Sequence, residues 1–320
     1  MPVLVSIIIP HFNISGLLEN LLFSIPNTKE IQTIVVDDHS SVFHLKKINQ
    51  LKEKYNFDFY QNQKTKNAGT SRNIGLEKAQ GKWILFADSD DYFMDGFYDS
   101  VRKYFDSQND IVFFRSTSVL NDSLKVADRH LHSKKIIDMY LLDMSKKSEL
   151  FLRYKSISPC ARLYRKEFIH NNQINFDEVL YGNDVMFSTK AGFFVKNYEV
   201  SSDIVYCITR RYGSLTSNLT EDVFNKRVSI YLLHYKFLTK RLPKKELEIL
   251  KLDVTFCGFL LTSLMRYGPQ NTFELIKYLK KEKITLFKIN YLSPIFLLRM
   301  ISQQSKDQLR LRKYNKYHLR

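Results

Sequence analysis

Trp83-Ile84-Leu85-Phe86-Ala87-Asp88-Ser89-Asp90-Asp91 is an apolar run that stops on carboxylates. Its apolar residues fit a short strand buried on both faces of a parallel sheet. Ligands of open parallel sheets collect at the carboxyl ends of the strands. The three aspartates therefore mark where chemistry is expected.

Upstream of this stretch, strand and helix patterns alternate. Val3–Ile9 is a branched-aliphatic run ended by Pro10; Ser15 is placed to cap a helix through Leu17, Leu18, Leu21, Leu22 and Ile25, closed by Pro26. Ile31–Val36 reads as a second buried strand, Leu45–Tyr55 as an amphipathic helix, Phe57–Gln61 as a short strand, and Ser71–Ala79 as a helix stopped by Gly81. Downstream, Ile111–Phe114 supplies one more strand. This order predicts an α/β fold, a mostly parallel sheet flanked by helices. The rhythm breaks near 117, with polar sequence to Ser158 and an aromatic patchwork through Ser217. Helical patterns follow over Val223–Leu242, Lys244–Arg266 and Phe273–Lys281, with a tail from Tyr291. The expected division is 1–116, 117–217 and a helical, basic extension at 218–320.

Composition narrows the class. The 320 residues are 44% hydrophobic with a net charge of +16, which excludes a disordered or fibrous chain and favours anionic partners. Charge alone does not choose among phosphate-bearing substrates, a membrane surface and nucleic acid. Cys160, Cys207 and Cys257 are odd in number and lack paired zinc-ligand spacing, as expected in a reducing cytosol. His130-x-His132 has no supporting ligands, so no zinc site is assigned. The N-terminal run reads as a strand rather than a signal peptide. Val254–Met265, the longest near-apolar stretch, is shorter than the roughly 20 residues of a spanning helix. A cytoplasmic protein is expected.

The carboxylates carry the chemistry. In an extended segment residues two apart share a face, so Asp88 and Asp90 are expected to converge. Paired carboxylates repel unless a cation relieves them. Mg²⁺ or Mn²⁺, held by one or two carboxylates, takes its remaining oxygens from substrate phosphates. Asp37-Asp38 ends a second strand of the same sheet. Between the two lies Asn67-Ala68-Gly69-Thr70-Ser71-Arg72-Asn73-Ile74-Gly75, where Gly69 suits a close approach, Ser71 could cap a helix, and Arg72 is placed to pair with a carboxylate or phosphate. The plainer reading of that block is a polar loop-to-helix junction.

Four blocks in order, Val5–Asn13, Ile34–Ser40, Asn67–Gly75 and Ile84–Asp91, resemble the family 2 glycosyltransferases of GT-A fold, of the kind that builds bacterial surface polysaccharides. The resemblance implies a nucleotide-diphosphate sugar, a UDP-sugar foremost, as donor and a glycan or lipid-linked glycan as acceptor. It implies that the turn carrying Pro10, Phe12 and Asn13 binds the nucleotide base with Asp38, that Asp37 lies nearby, and that Asn67, Gly69 and Arg72 add to the donor pocket. It places Asp88 against ribose or metal, and Asp90 on a Mn²⁺ or Mg²⁺ ion. Looser matches follow. Ser158–Tyr164 resembles a segment leading to the acceptor side, and Tyr181–Phe187 resembles the family's Glu-Asp motif, which would make Asp184 the general base of an inverting displacement. Thr209-Arg210-Arg211 through Thr216 resembles a segment that closes over the diphosphate. Three departures stand out: Asn183 replaces the usual Glu, His39 stands where the family prefers Gly, and no acidic residue follows Ser40-Ser41. Asn183-Asp184 could instead merely cap the following helix.

The tail from Arg299 holds Lys306, Arg310, Arg312, Lys313, Lys316 and Arg320 against one acid, Asp307, a mix that suits an anionic membrane surface at the inner face of the cell membrane. No nucleic-acid reading motif is present. Two rival functions remain: a non-catalytic nucleotide-sugar-binding module, which Asn183 keeps open, and a sugar nucleotidyltransferase, which would need a Gly-rich loop where Pro10–Ser15 stands.

Overall fold

The structure, a computed structural model, describes residues 2–211 and 220–284. The chain divides into two compact units, 1–214 and 215–320, each with its own apolar core.

Among the described residues the first unit is built on eight strands: β1 (Val5–His11), β2 (Ile31–Asp37), β3 (Asp58–Gln61), β4 (Trp83–Phe86), β5 (Tyr92–Phe93), β6 (Ile111–Leu120), β7 (Arg162–Arg165) and β8 (Tyr198–Arg210). Their order across the sheet is β3-β2-β1-β4-β7-β6-β8-β5. β3, β2, β1 and β4 are parallel, as expected. Beyond β4 the sheet is mixed: β7 runs antiparallel to both β4 and β6, β8 is parallel to β6, and β5 is antiparallel to β8. Every residue of β1 and β2 is buried, as their largely aliphatic composition predicts, and the polar Ser6 and Gln32 within them pair with each other, the Ser6 hydroxyl donating to Gln32 Oε1 at 2.7 Å. Residue 116 falls inside β6, and residues 117–211 complete the same sheet.

Among the described residues eight helices belong to this unit: α1 (Ser15–Phe23), α2 (Val42–Lys54), α3 (Ala68–Lys78), α4 (Phe97–Arg102), α5 (Leu131–Leu142), α6 (Lys146–Tyr154), α7 (Lys166–Asn171) and α8 (Asn183–Phe194). Two expected caps are corrected. Ser15 lies inside α1 and its hydroxyl meets His44 Nδ1 at 2.8 Å, while no side chain caps that helix. Ser71 lies inside α3, which starts earlier because Asn67 Oδ1 accepts the Thr70 N–H at 2.8 Å.

An aromatic cluster seats α8 on the sheet. Phe86 of β4 meets Tyr164, Phe176 and Phe187 edge-on at 5.8, 5.0 and 5.3 Å, and Phe176 stacks on Phe187 at 4.0 Å. The far end of α8 is pinned to α6. A side chain at Gly192 would place Cβ 2.1 Å from the Arg153 carbonyl oxygen, and Arg153 Nε donates to the Gly192 carbonyl at 2.7 Å. Backbone cannot yield as a flexible side chain can, so Gly192→Ala is expected to cost roughly 2–3 kcal/mol by overpacking. Urea unfolding of the variant measures this; an unchanged midpoint would contradict the packing.

The second unit contains α9 (Glu221–Thr239), α10 (Lys244–Leu250) and α11 (Val254–Lys281). The helix expected over Lys244–Arg266 is broken, because Lys251 adopts a left-handed conformation (φ 46°) that ends α10. α11 runs on to Lys281 but bends at Gly268 (φ 88°), before Pro269. Phe224, Val228, Leu232, Phe256, Leu275 and Leu279 form its core. Among the described residues no helix is long and apolar enough to cross a membrane. The expectations for Tyr212–Thr216, the boundary at 217 and the basic tail lie outside the described residues.

Candidate functional site

Because β1 lies between β2 and β4, the carboxyl ends of all three open on one edge of the sheet. On the β1–β2 side, His11 and Asp37 pair directly across the register, with His11 Nδ1 3.0 Å from Asp37 Oδ1. The Ile14 N–H donates to His11 Nε2 at 3.3 Å, so Nδ1 carries the proton given to Asp37. Asp37 Oδ2 accepts the Ser40 N–H at 2.9 Å. Burial raises the Asp37 carboxyl, but the hydrogen bonds from His11 and Ser40 outweigh it and hold the group below its usual range. Both oxygens of Asp37 are thus engaged within the loop. Asp38 Oδ1 accepts from Asn62 Nδ2 at 2.8 Å and from the Asn67 N–H at 3.1 Å. His39 is left-handed (φ 65°), the conformation that explains a preference for Gly there. Pro10 is buried in β1, while Phe12 is 39% exposed with Lys66 Nζ 3.5 Å from its ring centre. Asn13 is left-handed; its N–H donates to Ser40 Oγ at 2.9 Å and its Oδ1 accepts the Ser41 N–H at 2.8 Å.

On the β4 side the extended geometry expected for Asp88–Asp90 is corrected. The chain turns here, with the Asp91 N–H donating to the Asp88 carbonyl at 3.0 Å, because it must reverse into β5, the antiparallel partner of β8. Asp90 still senses the charge of Asp88. Burial and the Asp88 carboxylate raise the Asp90 carboxyl above its ordinary value, against the pull of Arg211. Arg211 Nε donates to Asp90 Oδ2 at 2.7 Å, whereas Arg210 pairs with Asp128 at 2.8 Å. The two candidate diphosphate arginines therefore diverge.

The sequence marks Asp91 among the three aspartates but gives it no role of its own; the structure does. Asp91 is buried, and accepts the Thr209 N–H at 2.7 Å and the Tyr206 hydroxyl at 2.8 Å; the same hydroxyl oxygen accepts the Asp88 N–H at 2.8 Å. Burial and the charges of Asp90 and Asp88 push its carboxyl well above the ordinary value. Asp91 thereby ties the acidic turn to the end of β8 that carries Arg211. Asp91→Ala leaves two donors unpaired, and chemical denaturation is expected to register a loss of roughly 2 kcal/mol. An unaltered unfolding midpoint would remove the tether.

Arg72 joins these groups to α8. Its side chain is only 8% exposed; Nη2 lies 2.5 Å from Asp88 Oδ1, and Nη1 donates to Asn183 Oδ1 at 2.8 Å. Although burial alone would lower it, the Asp88 carboxylate holds the guanidinium above its ordinary value. Gly69 uses its missing side chain against protein rather than ligand, since a Cβ there would lie 2.2 Å from the Asp177 carbonyl oxygen. Asn183 is buried at the start of α8, and neither it nor Asp184 caps the helix, because the N-cap position is Gly182 (φ 65°) with no side-chain bond. Burial raises the Asp184 carboxyl, opposed by the charge of Arg72.

No group of three or more potential side-chain ligands for a metal occurs among the described residues. Asp88 and Asp90 are the two carboxylates that would suit a hard ion completing its shell with phosphate oxygens, and each faces one arginine, Arg72 and Arg211.

Comparison with known proteins bears on the family and the fold. The chain is 27% identical over 221 residues to the poly(ribitol-phosphate) β-N-acetylglucosaminyltransferase TarS of Staphylococcus aureus, covering 67% of this chain and 37% of TarS. It is 26% identical over 178 residues to the minor teichoic acid biosynthesis protein GgaB of Bacillus subtilis, covering 54% of this chain and 19% of GgaB. The chain thus spans well under two thirds of these relatives. Two solved structures share its fold: S. aureus TarS 1-349 in complex with UDP-GlcNAc, with TM-score 0.62, 22% identity and 88% of each chain covered, and the Pyrobaculum calidifontis mannosyltransferase PcManGT in complex with GDP-Man and Mn²⁺, with TM-score 0.55, 13% identity, and 96% of this chain and 89% of that one covered. The sequence model of "Glycosyl transferase family 2" matches residues 6–172, and with that match over half of its length the chain belongs to glycosyl transferase family 2.

Proposed function

We propose that this chain moves a sugar from a nucleoside-diphosphate sugar, a UDP-sugar first, to a hydroxyl of a growing surface glycan, inverting the anomeric carbon. One observation carries the reading. The Arg72 guanidinium bridges Asp88, at the end of a donor-side strand, and Asn183, beside Asp184, so the motifs for donor and base address one guanidinium.

Phe12, Asn13 and Asp38 receive the nucleotide base, with Pro10 and Asp37 shaping the loop and Asn67 holding Asp38. Gly69 brings α3 close enough for Arg72 to reach both sides. Asp90 with Asp88 would hold Mn²⁺ or Mg²⁺, which would offset the charge of the diphosphate. Asp184 takes the acceptor's proton as its oxygen attacks the anomeric carbon. The bond from that carbon to the diphosphate breaks, leaving the electron pair on phosphate oxygen near Arg211, with Arg210 on the same strand end. In this division of labour residues 1–116 bind the donor nucleotide, and 117–217 supply the acceptor side and the catalytic groups.

The names of the relatives, which speak of poly(ribitol-phosphate) and teichoic acid, support an anionic polymer as acceptor. Charge supports it too, since residues 215–320 hold 21 Lys and Arg against 8 Asp and Glu. The same excess suits a cytoplasmic enzyme resting on the inner membrane face. Flotation with anionic liposomes at physiological salt is expected to carry the protein upward; recovery in the soluble fraction would refute membrane binding.

The donor assignment is tested by thermal unfolding with a panel of nucleotide sugars, each with and without Mn²⁺. A ligand at 100 times its Kd stabilises by about 2.7 kcal/mol, a resolvable rise in Tm. UDP-sugars with Mn²⁺ are expected to give it. If no nucleotide sugar shifts Tm under either condition, the reading fails. Release of UDP during transfer distinguishes an enzyme from a binding module.

A further inference from the structure

One face of α3 does more than carry Arg72. Positions 69, 72 and 73 lie on the same side of the helix, three and four residues apart. All three engage the segment from Phe176 to Asn183 that leads into α8. Gly69 lets the Asp177 carbonyl and the Asn183 side chain approach its Cα, and Arg72 Nη1 donates to Asn183 Oδ1. Asn73 grips the other end: its Oδ1 accepts the Phe176 N–H at 2.9 Å, and its Nδ2 donates to the Phe176 carbonyl at 3.0 Å. The amide thus pairs with both backbone groups of one residue, as a neighbouring strand would.

Phe176 passes this restraint on. Its ring stacks on Phe187, one turn beyond Asp184 on α8. The Asp177 N–H closes the segment by donating to the Asn183 carbonyl at 3.2 Å. Both ends of the segment are therefore fixed to the helix that also holds Asp88 through Arg72.

We infer that Asn73 is a positioning residue for transfer: by clamping Phe176 it sets Asp184 over the donor pocket, without touching donor or acceptor itself. The inference rests on Asp184 being the base. A carboxamide presents an acceptor and a donor side by side, as this pairing with the Phe176 backbone requires. Asp in its place would lose the donor and set a carboxylate against the Phe176 carbonyl; Ala would lose both bonds.

The test uses the full chain with Mn²⁺, a UDP-sugar that the panel has shown to bind, and acceptor polymer. Asn73→Asp and Asn73→Ala are each made alone and in combination with Asp184→Asn. A displacement on the order of 1 Å costs up to about 10²-fold in rate, so kcat is expected to fall about 10- to 100-fold while donor Kd by calorimetry stays within about twofold. In the Asp184→Asn background the Asn73 changes are expected to add no further loss, since the group they position is already gone. A merely structural role would weaken donor binding along with rate and would add its loss in both backgrounds. Should Asn73→Asp fail to give a native melting transition, Asn73→Ala carries the same comparison. Full activity of both Asn73 variants, with Asp184→Asn inactive, overturns this proposal alone. Full activity of Asp184→Asn overturns the base assignment and this proposal with it.

Discussion

Asp184→Asn is expected to bind donor as the unaltered protein does and to transfer sugar about 10³-fold more slowly, the scale set by removing a general base. The side chain is isosteric and lies in the first turn of α8 without a capping role, so the fold has little reason to change. Chemically, the variant has no site for the acceptor's proton. Burial raises the Asp184 carboxyl above its ordinary value, which brings a base closer to neutral pH, while the nearby Arg72 charge limits the rise. The sign for activity follows. Transfer needs the ionised form, so kcat/KM should climb as pH rises through the raised value and fall off below it. That acid limb should lie above the ordinary aspartate range and vanish from the residual activity of Asp184→Asn. Steady-state rates across pH with calorimetric donor binding check both parts, and a fully active variant would leave the enzyme without its assigned base.

Asp90→Asn is expected to abolish metal-dependent donor binding and to raise the Tm of the metal-free protein. Burial and the Asp88 carboxylate raise the Asp90 carboxyl despite Arg211. A group whose folded pKa exceeds its unfolded value contributes stability when protonated, below the unfolded value, and loses it as pH rises through the folded value. At neutral pH the charged form is therefore a net cost that Asn removes, and a rise of roughly 2–4 °C corresponds to about 1 kcal/mol in a domain of this size. Such an exchange of stability for lost function is common where like charges are crowded for a ligand. Calorimetry with UDP-sugar and Mn²⁺ measures the first effect and thermal unfolding in chelator the second. Undiminished Mn²⁺-dependent binding would exclude Asp90 as the metal ligand.

Much of this site is legible in the residues alone. Apolar runs buried on both faces have one natural home, so β1, β2 and β4 are evident from their composition, and with them the carboxylates at their ends. The block around Arg72 and the pair Asn183-Asp184 stand out by resemblance. The departures depend on local backbone geometry. Asp88–Asp90 turns instead of extending, Asn67 rather than Ser71 begins α3, and Lys251 breaks a helical pattern that continues unbroken in the residues. Each is a choice between backbone conformations separated by about 1 kcal/mol, within reach of tertiary packing. The tethering role of Asp91 is illegible for another reason: its partners, Tyr206 and Thr209, are remote in sequence.

Hydrophobic periodicity and short motifs are local properties. They suffice for the succession of strands and helices in the donor half, for the family, and for which residue types gather at the strand ends. They do not suffice for the pairings that make the site: Arg72 spanning Asp88 and Asn183, Arg210 and Arg211 parting company, Asn73 holding the approach to Asp184. Those pairings join residues far apart in the chain, and their distances come from how the sheet and its helices pack, which no local pattern encodes.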